Sequence, residues 1–152
     1  MVNKVVVLSL LLLIVLVGIG FVLTSQQNQT TDFKPSDPEQ VVRQYFESWD
    51  KKDWPNMYSV ISDGFKKIEP TAKTLSDFKQ YVESQNISGI NILSIKEQTN
   101  DGKAATVDYS VGGLLSDGTT SFNGSFTLKY READIIRGWK LIHPYGSNID
   151  TS

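Results

Sequence analysis

The sequence predicts an α+β domain, three helices packed on a curved antiparallel sheet of about four strands, behind one N-terminal transmembrane helix. Three observations predict it. A nineteen-residue apolar run lies near the start, a helical stripe of apolar residues opens the remainder, and from Ile87 the period shortens to that of a strand.

Residues 5–23 read VVVLSLLLLIVLVGIGFVL, with Ser9 the only polar side chain between Val5 and Leu23. At about 1.5 Å per residue such a helix spans roughly 28 Å, the hydrocarbon thickness of a bilayer, and pairs all its backbone groups internally. The run is longer than a signal-peptide core of about 7–15 residues, and Leu23-Thr24-Ser25-Gln26 offers no small-residue cleavage site, so a retained anchor is expected. Lys4 is the one charged side chain before it. The positive-inside rule then puts residues 1–4 in the cytoplasm and the rest outside the cell membrane, a single-pass arrangement. Residues 24–36 (TSQQNQTTDFKPS) are polar and aperiodic, as a tether would be. The globular part is expected over residues 37–147, with a tail over 148–152.

Asp37 is a good N-cap, Pro38 suits the first helical position, and Val41, Val42, Tyr45, Phe46 and Trp49 form one stripe. This helix should stop near Lys51 or Lys52. A second, from about Pro55, carries Met57, Tyr58, Val60 and Ile61 and is read as ending at Asp63-Gly64. A third begins near Thr74 to Ser76 and packs through Leu75, Phe78, Tyr81 and Val82. The strands follow. Ala105, Val107, Tyr109 and Val111 alternate with polar residues, as do Phe122, Gly124, Phe126, Leu128 and Tyr130, and Trp139, Leu141 and His143 share one face of the last strand. Alternation breaks at Ile92-Leu93, which predicts a bulge. Asp101-Gly102 reads as a tight hairpin and Asp117-Gly118 as a longer turn. Helices followed by a meander give helices on one face of a sheet.

Composition excludes several functions. Seventeen acidic residues and fourteen of the fifteen basic ones follow the anchor, with no basic run, which argues against nucleic acid and against an anionic membrane surface as partners. There is no cysteine and one histidine, so neither a disulfide framework nor a Cys/His zinc site can form, and no cofactor motif is present. Glu47, Asp50 and Asp53 are interleaved with Lys51 and Lys52, a solvated surface and not a calcium loop.

Pro38-Glu39, Val41, Tyr45-Phe46, Trp49, Asp53, Met57-Tyr58 and Gly138-Trp139-Lys140-Leu141, in this order and spacing, resemble the nuclear transport factor 2-like superfamily. The closest look-alike is the non-catalytic N-terminal domain of methicillin-resistance-type penicillin-binding proteins. The resemblance covers residues 38–144 and implies a cone-shaped fold placed outside the cell. There is no transpeptidase module and no S-x-x-K motif, so cell-wall enzymology does not carry over.

The residues point to a binding or interaction module without catalysis, for another cell-surface protein or a small apolar ligand. Tyr45, Trp49, Tyr109, Tyr130 and Trp139 are the candidate ligand-pocket residues, weighed against the reading that they fill the core. His143 is the candidate catalytic residue, because it titrates near neutral pH. With cone tyrosines it would serve an enzyme of the ketosteroid isomerase or dehydratase type, but no carboxylate falls on an inward strand position. A scaffold subunit of a secretion-type membrane complex shares the same plan of tail, helix and external domain. Asn28, Asn86 and Asn123 begin N-glycosylation sequons on the outward side.

Overall fold

The computed structural model describes residues 37–145. The anchor expected at residues 5–23, the tether, the tail and the Asn28 sequon lie outside the described residues. Among the described residues no helix is long and apolar enough to cross a membrane.

Helix α1 (Pro38–Asp50) forms as its caps dictate. The Asp37 carboxylate accepts from Gln40 N at 2.8 Å, and Lys51 closes the other end. Its stripe of Val41, Val42, Tyr45 and Phe46 is buried against the sheet. Burying a side chain of this size stabilises the fold by about 1.5–3 kcal/mol. Two carboxylates fix the direction of α1 on strand β1 (Gly89–Asn100). Glu39 Oε1 accepts from Glu97 N at 2.7 Å, and Asp50 Oδ1 accepts from Ile90 N at 2.9 Å. The helix therefore runs antiparallel to β1.

Helix α2 (Trp54–Ser59) is capped by Asp53 and buries Met57. It ends before Val60 and Ile61, which are buried outside any helix. Asp63-Gly64 does not stop a helix; it starts one. Ser62 is the cap of α3 (Asp63–Ile68), its hydroxyl accepting from Phe65 N at 3.2 Å, and Phe65 is fully buried. A 3₁₀ turn (Pro70–Ala72) leads to α4 (Leu75–Ser84), which opens with a reciprocal capping box between Thr74 and Asp77. The described residues thus hold four α-helices, not three. Leu75 is 38% exposed, so α4 packs through Phe78, Tyr81 and Val82 without it.

Strands β1, β2 (Ala104–Leu115), β3 (Gly118–Arg131) and β4 (Gly138–Leu141) form one antiparallel meander in chain order. The register shifts between Ile92 and Ser94, where the sequence predicts a bulge, and again between Glu97 and Thr99. The two hairpins exchange their expected lengths. Two residues, Ser116 and Asp117, join β2 to β3, whereas three, 101–103, join β1 to β2. The Asp101 carboxylate holds that longer turn by accepting from Lys103 N at 2.8 Å and Ala104 N at 2.7 Å. Most inward positions fill as alternation assigns them, but Phe122, in the first half of its strand, is 37% exposed.

β4 is only four residues long and is buried throughout. One edge pairs with β3. The other accepts a parallel bridge from Ile61, with Leu141 N donating to Val60 O at 2.9 Å and Ser62 N donating to Leu141 O at 3.0 Å. The sheet has two distinct ends. At the entry end lie the start of α1, the β1–β2 turn and the β3–β4 loop (residues 132–137). At the far end lie the close of α1, the β2–β3 turn and residues 143–145.

Candidate functional site at the far end of the sheet

The last turn of α1 carries Trp49, α4 carries Tyr81 and Val82, and the strands bring up Tyr109, Phe122 and Phe126. Residues 143–145 close the far side of this recess, whose volume is about 330 Å³. That is the low end of the range for small-molecule sites, roughly 300–1,000 Å³.

Aromatic packing builds its walls. Tyr109 sits 4.5 Å from Phe126 and 5.0 Å from Phe46, centroid to centroid. Tyr145 lies against Tyr81 at 4.3 Å and edge-on to Phe65 at 5.1 Å. Tyr109 reaches its place because Gly124, its cross-strand partner, has no side chain. A Cβ there would come within 2.7 Å of the Tyr109 hydroxyl. The glycine is thus a requirement of the wall.

The electrostatics favour neutral donors. Burial raises the Tyr45 phenol well above its usual range, and the Tyr145, Tyr109 and Tyr81 phenols add to the effect. Burial raises Tyr109 in the same way. Burial also raises Tyr145. None of these phenols is tuned toward a phenolate at neutral pH. Among the described residues no carboxylate lines the recess. The Trp49 indole N–H is buried and meets no acceptor among the described residues.

The structure brings together Trp49, Tyr109 and His143 from the sequence-predicted set. Tyr45 lies beneath them, 3% exposed, its ring edge-on to Trp49 and Phe126. Tyr130 and Trp139 stand elsewhere. They pack edge-on at 5.7 Å at the entry end and line a separate surface hollow. Tyr145 and Phe122 were not singled out for the recess. Tyr145 follows the last strand, where periodicity carries no information, and Phe122 reads as core by alternation. Asn86 is exposed with φ of 56°, its amide nitrogen donating to Ser84 O, and Asn123 is exposed on β3. Among the described residues no three His, Cys, Asp or Glu side chains gather as metal ligands would.

No protein-family model matches the sequence, and no curated protein matches it. Its likenesses are structural. A SEC-C motif-containing protein from Psychrobacter arcticus superposes with a TM-score of 0.54 at 11% identity, over 79% of this chain and 65% of that one. This chain therefore spans less than two thirds of that protein, and the likeness is one of fold. An NTF-2-like protein of unknown function from Shewanella oneidensis gives 0.49 at 13% identity, over 67% of this chain and 88% of that one. A Mycobacterium tuberculosis protein in complex with estradiol-17β-hemisuccinate gives 0.43 at 9% identity, over 71% and 92%. The structural neighbours thus include NTF2-like proteins.

Proposed function

We propose that the domain is a non-catalytic binding module of the nuclear transport factor 2-like kind, held outside the cell membrane by residues 5–23, whose far-end recess takes a small, largely apolar ligand. The observation that carries this reading is a recess walled by aromatic rings, with no carboxylate in its lining among the described residues. The ring faces favour burial of a ring or alkyl group, while Gln85, Ser125, His143 and the Tyr109 phenol in the same lining offer polar contacts to one carbonyl or hydroxyl. The finer likeness to the N-terminal domain of methicillin-resistance-type penicillin-binding proteins rests on the residues quoted above and belongs to this reading.

The test uses 2-naphthol as probe with the full chain in detergent, Trp54 and Trp139 replaced by Phe so that Trp49 reports alone. Saturable quenching is expected, and Phe122→Asp, which puts a charge on the rim, should abolish it. Linear quenching, or quenching unchanged by that variant, would overturn the reading.

A second reading has one observation in its favour, the convergence of His143 and Tyr109 on the same recess. In an isomerase- or dehydratase-type enzyme His143 would carry the proton and the phenol would hydrogen-bond a substrate oxygen. That reading requires turnover of a β,γ-unsaturated ketone to its conjugated isomer, lost in His143→Ala while 2-naphthol binding persists.

A further inference from the structure

The net charge of the chain hides a strongly basic region at the entry end. Two hollows flank the β3–β4 loop. One, of about 620 Å³, is lined by Lys66, Lys67, Lys73 and Arg131; the other, of about 910 Å³, by Lys103, Lys129, Arg131 and Arg137. Seven basic residues line the pair against three acids, Asp63, Glu132 and Asp134. The chain as a whole is at −2. Nearby Asp101 is turned onto the amides of its own loop. Lys67, Lys73, Lys103 and Lys129 enter no ion pair among the described residues.

Between the hollows the loop presents apolar side chains to water. Ile135 is 93% exposed and Ile136 is 56% exposed. This exposure is built in by a reciprocal clasp. Asp134 Oδ2 accepts from Asp63 N at 3.0 Å, Asp63 Oδ2 accepts from Ile135 N at 2.7 Å, and Arg131 Nε holds Asp134 at 3.3 Å. A loop tied down by its own backbone, yet holding an isoleucine fully outward, is shaped for a surface it meets.

We propose that the β3–β4 loop docks on an anionic lipid surface. Ile135 and Ile136 enter the boundary between headgroups and acyl chains, and the flanking lysines and arginines face lipid phosphates. Charge complementarity selects an anionic bilayer, and chain length makes it reachable. The chain enters the domain at Pro38, whose helix start sits by Glu97, at the same end of the sheet as the loop. Fourteen residues, 24–37, separate that entry from the anchor read at residues 5–23, a reach of at most roughly 45–50 Å at full extension. The inference rests on that anchor for proximity. Docking at the entry end would leave the aromatic recess, at the opposite end, open to the outside.

The sequence has no cysteine, so single labels are clean. The full chain, reconstituted in vesicles of phosphatidylcholine and phosphatidylglycerol at 3:1, would carry a nitroxide at Ala133→Cys in the loop or at Thr119→Cys on the far end. A third label at Leu13→Cys reports the anchor separately, so that loss of the anchor and loss of docking are distinct outcomes. Expected is high oxygen and low nickel-complex accessibility at residue 133, water-like accessibility at 119, and loss of the 133 signal in phosphatidylcholine alone. Lys67→Ala with Lys73→Ala should lower the docked-to-free ratio about 5-fold per lysine, and Ile135→Asp should abolish docking with the circular dichroism unchanged. A water-like residue 133 beside a buried residue 13 would overturn the proposal. So would equal burial in zwitterionic vesicles, or burial only when an acidic partner protein is added.

Discussion

Replacing Gly124 by Ala asks whether the Tyr109 wall is held by the absence of one methyl group. The added Cβ would lie 2.7 Å from the Tyr109 hydroxyl and 2.9 Å from its ring carbon Cζ, so the ring must move. It cannot move freely, because Phe46 and Phe126 pack on it at 5.0 and 4.5 Å. Overpacking of this kind costs about 1–3 kcal/mol, the two ring contacts being worth about 0.5–1.5 kcal/mol each. Against it stands the relief of a glycine in a strand, about 0.5–1 kcal/mol. The expected net loss is about 1 kcal/mol and at most about 2.5, the former equal to about 4–8 °C in Tm for a domain of this size. Urea unfolding followed by far-ultraviolet circular dichroism measures it on the full chain in detergent. The decisive comparison is the same change in a Tyr109→Ala background. There the clash is gone, and the substitution should stabilise the protein by about 0.5–1 kcal/mol. An equal effect in both backgrounds would refute the reasoning.

Other outcomes follow from the same contacts. Asp63→Asn should free the β3–β4 loop, seen as faster hydrogen exchange at Ile135 N, and cost about 1 kcal/mol, since the carboxylate is one-fifth exposed and partly screened. Burial alone would raise this carboxyl, but the Ile135 N–H and the Lys66 ammonium outweigh it and hold it below its ordinary 3.8. A lowered carboxyl contributes stability above that value, so the clasp should survive to pH 4 and fail as pH falls further. At the alkaline end the sign reverses. Tyr45, Tyr109 and Tyr145 all lie above 10.0 when folded, so the stability they contribute is whole below pH 10 and drains away as pH rises through their folded values. Phenolate absorbance from these three should therefore rise together with unfolding; complete ionisation in the folded protein near pH 10 would contradict it. Trp49→Phe removes a buried donor that has no acceptor among the described residues, so it should cost less than about 1 kcal/mol in chemical denaturation, unlike other core truncations.

Helix α1 was legible because Asp37, Pro38 and the stripe to Trp49 are local signals that agree with one another. The meander and the Ile92 bulge were legible because a change of period needs no knowledge of the rest of the chain. Helix α3 was not. It is six residues long with one buried side chain, Phe65, and its cap, Ser62, carries no pattern of its own. Asp63-Gly64 therefore read as a stop. The aromatic recess was half legible. Trp49, Tyr109 and His143 share it, whereas alternation cannot say that Tyr130 and Trp139 face the other end of the sheet. The basic region was invisible for a different reason. Its seven residues come from positions 66 to 137 and never form a run, so only the closure of the sheet adds their fields.

The position of β4 has a consequence for the order in which the molecule can be completed. Trp139, Leu141 and Ile142 occupy the core, yet they are among the last of the described residues to be synthesised. Until they arrive, Leu128 lacks its neighbour on the sheet, and Val60 and Ser62 have no partner strand. A chain emerging from its amino end must therefore keep α1 and three strands waiting for a four-residue key. Nascent chains halted before Gly138 should be digested by protease along their length. Those released after Ile142 should become resistant in one step.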